Sequence, residues 1–149
     1  MTSTPAPVLF RERLWPSAWV FIVSALVMPA SLLVFLPISV PAGIVTAIGF
    51  YLAIVAGLVL TTPTIEVDDS RLRAGSAEIP RELIAEAHPH RDEEAGAERG
   101  PRLDARAWLL LRGWISPVVR IQLDDPSDPT PYWLVSSRRP EELAAALTR

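Results

Sequence analysis

Residues 19–60 read WVFIVSALVMPASLLVFL, PISVP, AGIVTAIGFYLAIVAGLVL: two uncharged apolar runs, Trp19 to Leu36 and Ala42 to Leu60, separated by Pro37-Ile38-Ser39-Val40-Pro41. The runs hold eighteen and nineteen residues. At about 1.5 Å of rise per residue each helix would measure roughly 27–29 Å, close to the ~30 Å hydrocarbon core of a bilayer. Lipid offers no partner to a backbone amide, so isolated crossings of this length must be helical. The prolines of the link end one helix and open the next, which predicts a transmembrane helical hairpin. A secretory signal peptide would be shorter and would end at a small-residue cleavage site, whereas here a second apolar run follows at once.

Orientation follows from the arginines. Arg11 and Arg13 precede the first run, Arg71 and Arg73 follow the second, and the link between the runs carries no charge. Basic residues concentrate on the cytoplasmic flanks of membrane helices, so the sequence predicts a multi-pass protein of the cytoplasmic membrane with both termini cytoplasmic. The bilayer is the first expected partner.

After the hairpin, residues 64–149 leave room for one small domain with a modest core. The chain has no cysteine, which excludes disulfides, thiolate metal sites and a cysteine nucleophile. All fourteen basic residues are arginine. Arg11, Arg13 and Glu12 give +1 before the spans, and twelve arginines against sixteen acids give −4 after them. An overall field of that sign does not draw nucleic acid, so no nucleic-acid partner is expected.

Taken in order, the Pro/Ser/Thr/Ala tail Met1 to Pro7 has nothing to bury and reads as disordered. Phe10, Leu14, Trp15 and Trp19 recur at helical spacing, so residues 1–18 read as a tail and an interfacial segment with its indoles at headgroup depth. Pro29 predicts a kink, because it lacks a donor for the carbonyl of Ala25. Neither span carries an ionisable residue, which argues against an ion or proton path. Gly49, Ala53 and Gly57 form a small-residue stripe on the second span, fit either for packing against the first span or for a homo-oligomer contact.

From Thr64 onward the periodicity shortens. Ile65 and Val67 alternate with Glu66, Asp68-Asp69-Ser70 turns the chain, and Leu72 and Ile79 continue a meander of short strands. Arg81 to His88 fits a strand or a helical turn, the strand ending near His88 being preferred, and Pro89 to Asp104 reads as a solvated loop with room for one helical turn. Ala107 to Arg112 and Val118 to Leu123 flank Gly113-Trp114-Ile115-Ser116-Pro117 and read as a hairpin. Tyr132 to Ser136 is another strand, and Pro140 opens a terminal helix with Leu143, Ala146 and Leu147 on its inner face. About seven strands closed by one helix predict an α+β membrane protein: a transmembrane hairpin followed by a pleckstrin-homology-like β barrel or sandwich.

Three strings are more specific than this pattern: Arg11-Glu12-Arg13-Leu14-Trp15, Arg112-Gly113-Trp114, and the run from Asp125 through Tyr132-Trp133 to Ser136-Ser137-Arg138-Arg139-Pro140. They resemble the actinobacterial "domain of unknown function 3093" family nearly end to end. The resemblance implies a small two-span membrane protein with no assigned activity and no catalytic residues to carry over.

Candidate chemistry is sparse. His88 and His90 with Asp92, Glu93 and Glu94 are the nearest approach to a metal cluster, but they lie in a loop with no further histidine, and no metal or other cofactor is expected. Asp124, Asp125 and Asp128 lack the spacing of a calcium loop and read as turn formers. No phosphate loop, serine elbow or paired-histidine zinc helix occurs, so no enzyme is expected. The candidate binding surface is Arg112, Trp114, Tyr132, Trp133, Arg138 and Arg139, a set of aromatics and guanidinium groups suited to a protein contact. The simpler placement of the tryptophans is the core. These features point to a membrane-anchored, non-enzymatic module that binds a membrane or cytoplasmic protein partner or assembles a membrane complex. The alternatives are phospholipid-headgroup recognition by Arg71, Arg73 and Arg81, and a metal-assisted enzyme around His88 and His90.

Overall fold

The computed structural model describes residues 6–149 and divides into two compact units. One is Trp15–Thr62; the other joins the described residues up to Leu14 to Pro63–Arg149. The expectation for Met1 to Pro5 lies outside the described residues.

The first unit is the apolar pair. Two helical stretches, Ala18–Phe35 and Val40–Leu60, are long and apolar enough to cross a membrane. The first is broken into α1 (Ala18–Ser24) and α2 (Val27–Phe35), and the second is α3 (Val40–Leu60). The break falls at Ala25 and Leu26, one turn before Pro29. Pro29 has no N–H for the Ala25 carbonyl, which accepts instead from Met28 N at 3.0 Å, a tighter three-residue turn. Ser39 caps α3 by accepting from Ala42 N. Three hydroxyls of this unit donate to the backbone one turn back: Ser24 to Val20 O, Thr61 to Gly57 O and Thr62 to Leu58 O.

The contact between α2 and α3 runs through Gly43, Ala47 and Ser31, which are buried. A Cβ added at Gly43 would stand 3.2 Å from Phe35 Cβ. The stripe Gly49, Ala53, Gly57 is exposed instead, with open space around Gly49 and Gly57, so it does not pack against the first span. Of the two uses expected for that stripe, packing against the first helical stretch is made by Gly43 and Ala47 instead.

The second unit holds two four-stranded sheets. β1 (Val8–Arg13), β2 (Thr64–Asp68), β3 (Arg71–Ala74) and β4 (Ala77–Pro80) form an antiparallel meander. Gly75, at φ +61°, makes the tight turn between β3 and β4. After a short 3-10 turn, Arg81–Leu83, the second sheet takes β5 (Ile84–His90), β6 (Trp108–Leu110), β7 (Val118–Leu123) and β8 (Tyr132–Ser136) in the order β5-β7-β8-β6. Helix α4 (Asp92–Arg99) joins β5 to β6, and α5 (Pro140–Thr148) ends the chain. One core collects Phe10, Ile65, Val67 and Leu72 from the first sheet, Val119, Ile121 and Val135 from the second, and Leu143 and Leu147 from α5. A smaller cluster under α4 holds Ala95, Val118, Tyr132 and Leu134. With a core on each face, β8 is buried at every residue, which explains its unbroken apolar run.

Four expectations need correction. Residues 8–13 are a strand paired with β2, not an interfacial helix, so the domain does not begin at 64. Phe10, Glu12 and Leu14 all point inward at period two, and the buried glutamate hides that alternation. The expected loop after Pro89 contains α4, whose acidic first turn, Asp92 to Glu94, suits the positive end of a helix. Strand β5 runs on through Pro89 to His90, and it tolerates proline because it is an edge strand. β6 and β7 are not a hairpin: β8 lies between them, parallel to β6 and antiparallel to β7. Local turn residues cannot report a strand inserted from later in the chain.

Candidate functional site

The aromatic half of the expected binding set is structural. Tyr132 and Trp133 are 2% and 6% exposed. Trp133 packs on Trp108 with ring centroids 4.4 Å apart. The Tyr132 hydroxyl accepts from Asp104 N at 2.8 Å, and the Arg120 guanidinium lies 4.0 Å from its ring centre. Trp114 is half-buried against the main core, and its Nε1 donates to Leu14 O at 3.3 Å. The remaining members, Arg112, Arg138 and Arg139, gather with Trp114 at the end of the domain where β1 finishes; Tyr132 sits at the opposite end of β8.

What holds that end together is a residue outside the expected set. Glu12 is 7% exposed, and its carboxylate accepts from Ser137 Oγ at 2.5 Å and from Arg138 N at 2.8 Å. A buried carboxylate is tolerated only when donors replace its water, and charge-assisted bonds of this kind are among the strong ones. Ser137 Oγ in turn accepts from Arg139 N at 3.1 Å, just ahead of α5. Arg139 completes the clasp: Nη2 donates to Arg11 O at 2.6 Å, Nη1 to Glu142 at 3.1 Å, and the guanidinium stands over the Phe10 ring. Strand β1, the loop before β7 and the start of α5 thus meet around Glu12 and Leu14.

A family model described as "Protein of unknown function (DUF3093)" matches residues 9–147. The chain belongs to the DUF3093 family. No curated protein and no solved structure matches it. The match takes in β1 after Val8, the apolar pair and nearly all of α5, and the first two strings meet the Ser136-to-Pro140 end of the third at this one junction. The sequence signal for Glu12 was its place midway between Phe10 and Leu14; no local signal marks Ser137.

Elsewhere in the DUF3093 chain, polar groups answer one another. Among the described residues no three His, Asp or Glu side chains are grouped to hold a metal ion. His88 pairs with Glu86 at 2.7 Å. Asp125 Oδ1 accepts from the amide and hydroxyl of Ser127, and Asp128 Oδ1 from Thr130 N, both turns closed by an aspartate. Glu98, on the buried face of α4, is held by Arg120 at 3.1 Å and Arg102 at 3.5 Å. Of the arginines expected to meet headgroups, Arg71 faces Asp68 and Glu78, and Arg73 faces Glu78. Arg81 is a brace: it donates to Asp68 O, Ala146 O and Arg149 O beside an open cavity of about 430 Å³.

Two predictions follow from these contacts. Glu12→Ala takes the acceptor from the buried Ser137 hydroxyl and from the partly buried Arg138 amide and should destabilise the domain by about 2–3 kcal/mol, with Ser137→Ala costing about 1 kcal/mol. Because the two act on one bond, the double variant should lose less than the sum, as read by denaturant unfolding in detergent micelles; strict additivity would show that the pair is not coupled. The second concerns acid. Hydrogen bonds from the Ser70 hydroxyl and amide hold Asp68 down from 3.8 to about 2, and the Arg91 guanidinium holds Glu141 down from 4.5 to about 2. A depressed folded-state pKa stabilises above the unfolded value and loses that contribution as pH falls through the folded one. Thermal stability should therefore decline between about pH 4.5 and pH 2. Asp68→Asn should flatten the decline, and an unchanged slope would exclude the aspartate as a cause.

Proposed function

We propose that this DUF3093 protein is a membrane-anchored, non-enzymatic module. In this reading the hairpin crosses the cytoplasmic membrane, and a pleckstrin-homology-like β domain on the cytoplasmic side binds a protein partner or assembles a membrane complex. The observation that carries the reading is the pairing of β1 with β2 across the interruption: Arg13 lies opposite Thr64, and Leu14 N donates to Pro63 O at 3.0 Å. The chain leaves for the hairpin and returns from it at hydrogen-bonded neighbours, so both ends of the hairpin belong on one side of a bilayer. The flanking arginines and the uncharged link support the cytoplasmic side. Two sheets around one core, closed by a C-terminal helix, support the pleckstrin-homology-like reading, with the parallel β6–β8 pair as a departure from a plain meander.

Support for a protein partner comes from the end of the domain opposite Leu14. There Arg81 N bonds Ser70 O and Asp124 N bonds Leu83 O, which brings the loops of Asp68, Asp69, Asp124, Asp125 and Asp128 to one tip. An acidic, solvated tip of this kind suits a basic protein surface.

The absence of cysteine makes topology directly measurable. Ile38→Cys, in the hairpin link, should react with a membrane-impermeant maleimide on intact cells, and Ser127→Cys only after lysis; the reverse pattern would invert the topology, and no labelling of either in intact cells would remove the crossing. For the binding role, the full-length protein should co-purify with a stoichiometric protein from gently solubilised membranes. Changing Asp124, Asp125 and Asp128 together to Asn, which preserves the turns, should release it. Recovery of lipid with no protein would sink the partner reading.

A further inference from the structure

Helix α4 covers the outer face of the second sheet, and little in its sequence suits it to that place. The register sets Val118 opposite Ser136, Arg120 opposite Leu134 and Gln122 opposite Tyr132, so these side chains share one face. Val119, Ile121 and Val135 alternate to the other face and belong to the main core. Val118, Tyr132 and Leu134 are buried against Ala95 of α4. The helix reads Asp-Glu-Glu-Ala-Gly-Ala-Glu-Arg, and the residues it buries are Ala95 and Glu98. An apolar strip is thus roofed mainly by one methyl group and one carboxylate. The closed arrangement is strained in several ways. Its eight residues are fewer than the ~12–15 that an isolated helix needs, and Gly96 lies in its middle. The chain enters through Asp92 at φ +48°, a left-handed conformation that disfavours a residue with a Cβ. Nε of Arg99, on α4, and Nε of Arg120, facing it, are buried with no acceptor among the described residues. Desolvation of such donors goes uncompensated, and burial also pushes the Arg99 guanidinium down from its ordinary value.

We infer that residues 92–103 are a lid, which opens as a unit while the sheets stay folded and uncovers the strip of Val118, Tyr132 and Leu134. The inference goes beyond the proposed function and depends on neither the membrane nor the partner reading. The lid is pinned at both ends. Before it, Arg91 holds Glu141 of α5 through two bonds of 2.6 and 2.8 Å; after it, Asp104 N donates to the Tyr132 hydroxyl at 2.8 Å. Between these pins the clasps are polar: Arg120 to Glu98 at 3.1 Å, Arg102 to Glu94 at 2.6 Å, and Arg99 to the carbonyls of Ile115 and Ser116. The Arg102–Glu94 pair is half-exposed and contributes little. Opening gives Glu98 and both Nε donors to water and relieves Asp92, against the loss of a small apolar contact. Segments with few buried apolar contacts open at free energies well below that of the whole domain. The strands beneath keep their partners meanwhile, since β7 lies between β5 and β8, and β8 between β7 and β6. The strip meets other apolar side chains only in the open form, so the lid gates that contact.

The test uses the full chain in detergent micelles, where the absence of native cysteine lets one thiol report on one face. Val118→Cys places a thiol under α4, and Val119→Cys places one in the main core a single residue away; both valines are 0% exposed. With a small thiol reagent under native conditions, Val118→Cys should react faster than Val119→Cys by roughly tenfold or more, because it needs only the local opening. Gly96→Ala adds a methyl group into open space and favours the helix, so it should slow labelling at Val118→Cys by about fivefold and leave Val119→Cys unchanged. Hydrogen exchange on the cysteine-free chain makes the same comparison without a thiol: amides of α4 should exchange ahead of those of β7 and β8, and Gly96→Ala should slow the first set alone. Equal labelling of the two positions, labelling of both only on global unfolding, or an equal effect of Gly96→Ala on both faces would each overturn the lid and make α4 one cooperative unit with the sheets. None of these outcomes alters the hairpin topology or the co-purifying partner, which are read separately.

Discussion

A carboxylate withdrawn from water has to be surrounded by donors, and in this chain that requirement falls on Glu12. Its two oxygens are met by Ser137 Oγ and Arg138 N, from a segment more than a hundred residues later. The contact fixes where β1 ends, where α5 begins and how the two sheets close over Phe10 and Leu143. Without it β1 would be an edge strand of modest length held by one neighbour, β2. With it, the segment before the apolar pair and the last helix of the chain become parts of one core. Arg139 strengthens the same seam by bonding Arg11 O, so both charges of the cluster act on backbone that secondary structure leaves unsatisfied.

How much of this was legible in the sequence depends on whether the signal was local. The apolar runs were legible because length and absence of charge suffice, and the break before Pro29 follows from a missing donor. The terminal helix was legible from Pro140 and the spacing of Leu143, Ala146 and Leu147, all buried. Residues 8–13 were misread because a buried Glu12 breaks the apolar alternation, and Phe10 with Leu14 fits a helix as well as a strand. The placement of β8 between β6 and β7 depends on pairing partners that no turn sequence encodes. The junction itself joins residues with no local pattern in common; only the family strings hinted that these stretches matter together.

The stretch after the apolar runs carries sixteen acids against twelve arginines, and among the acids Asp68, Asp125 and Asp128 close turns. The aspartates are where turn chemistry needs a side-chain acceptor, at Asp68, Asp125 and Asp128, so their location follows from folding and their field is a consequence.

The domain is discontinuous, and that bears on how it forms. β1 is synthesised first but cannot complete its pairing until β2 has followed the whole of Trp15–Thr62. For a flexible chain, bringing the ends of such a segment together costs roughly 3 kcal/mol beyond the constant for closure. Two apolar helices that pack against each other through Gly43 and Ala47 remove most of that freedom before β1 meets β2. Under the proposed topology, insertion of the hairpin does the same work: once both helices are placed in the bilayer, Leu14 and Pro63 are already near one another, and β1–β2 pairing becomes as local as a hairpin turn. The Glu12 bonds to Ser137 and Arg138 wait in turn for a segment made more than a hundred residues later. Under that proposed topology, a domain whose first strand is held by the segment leading into α5 is completed only after the hairpin is placed, which would tie completion of the fold to insertion in the membrane.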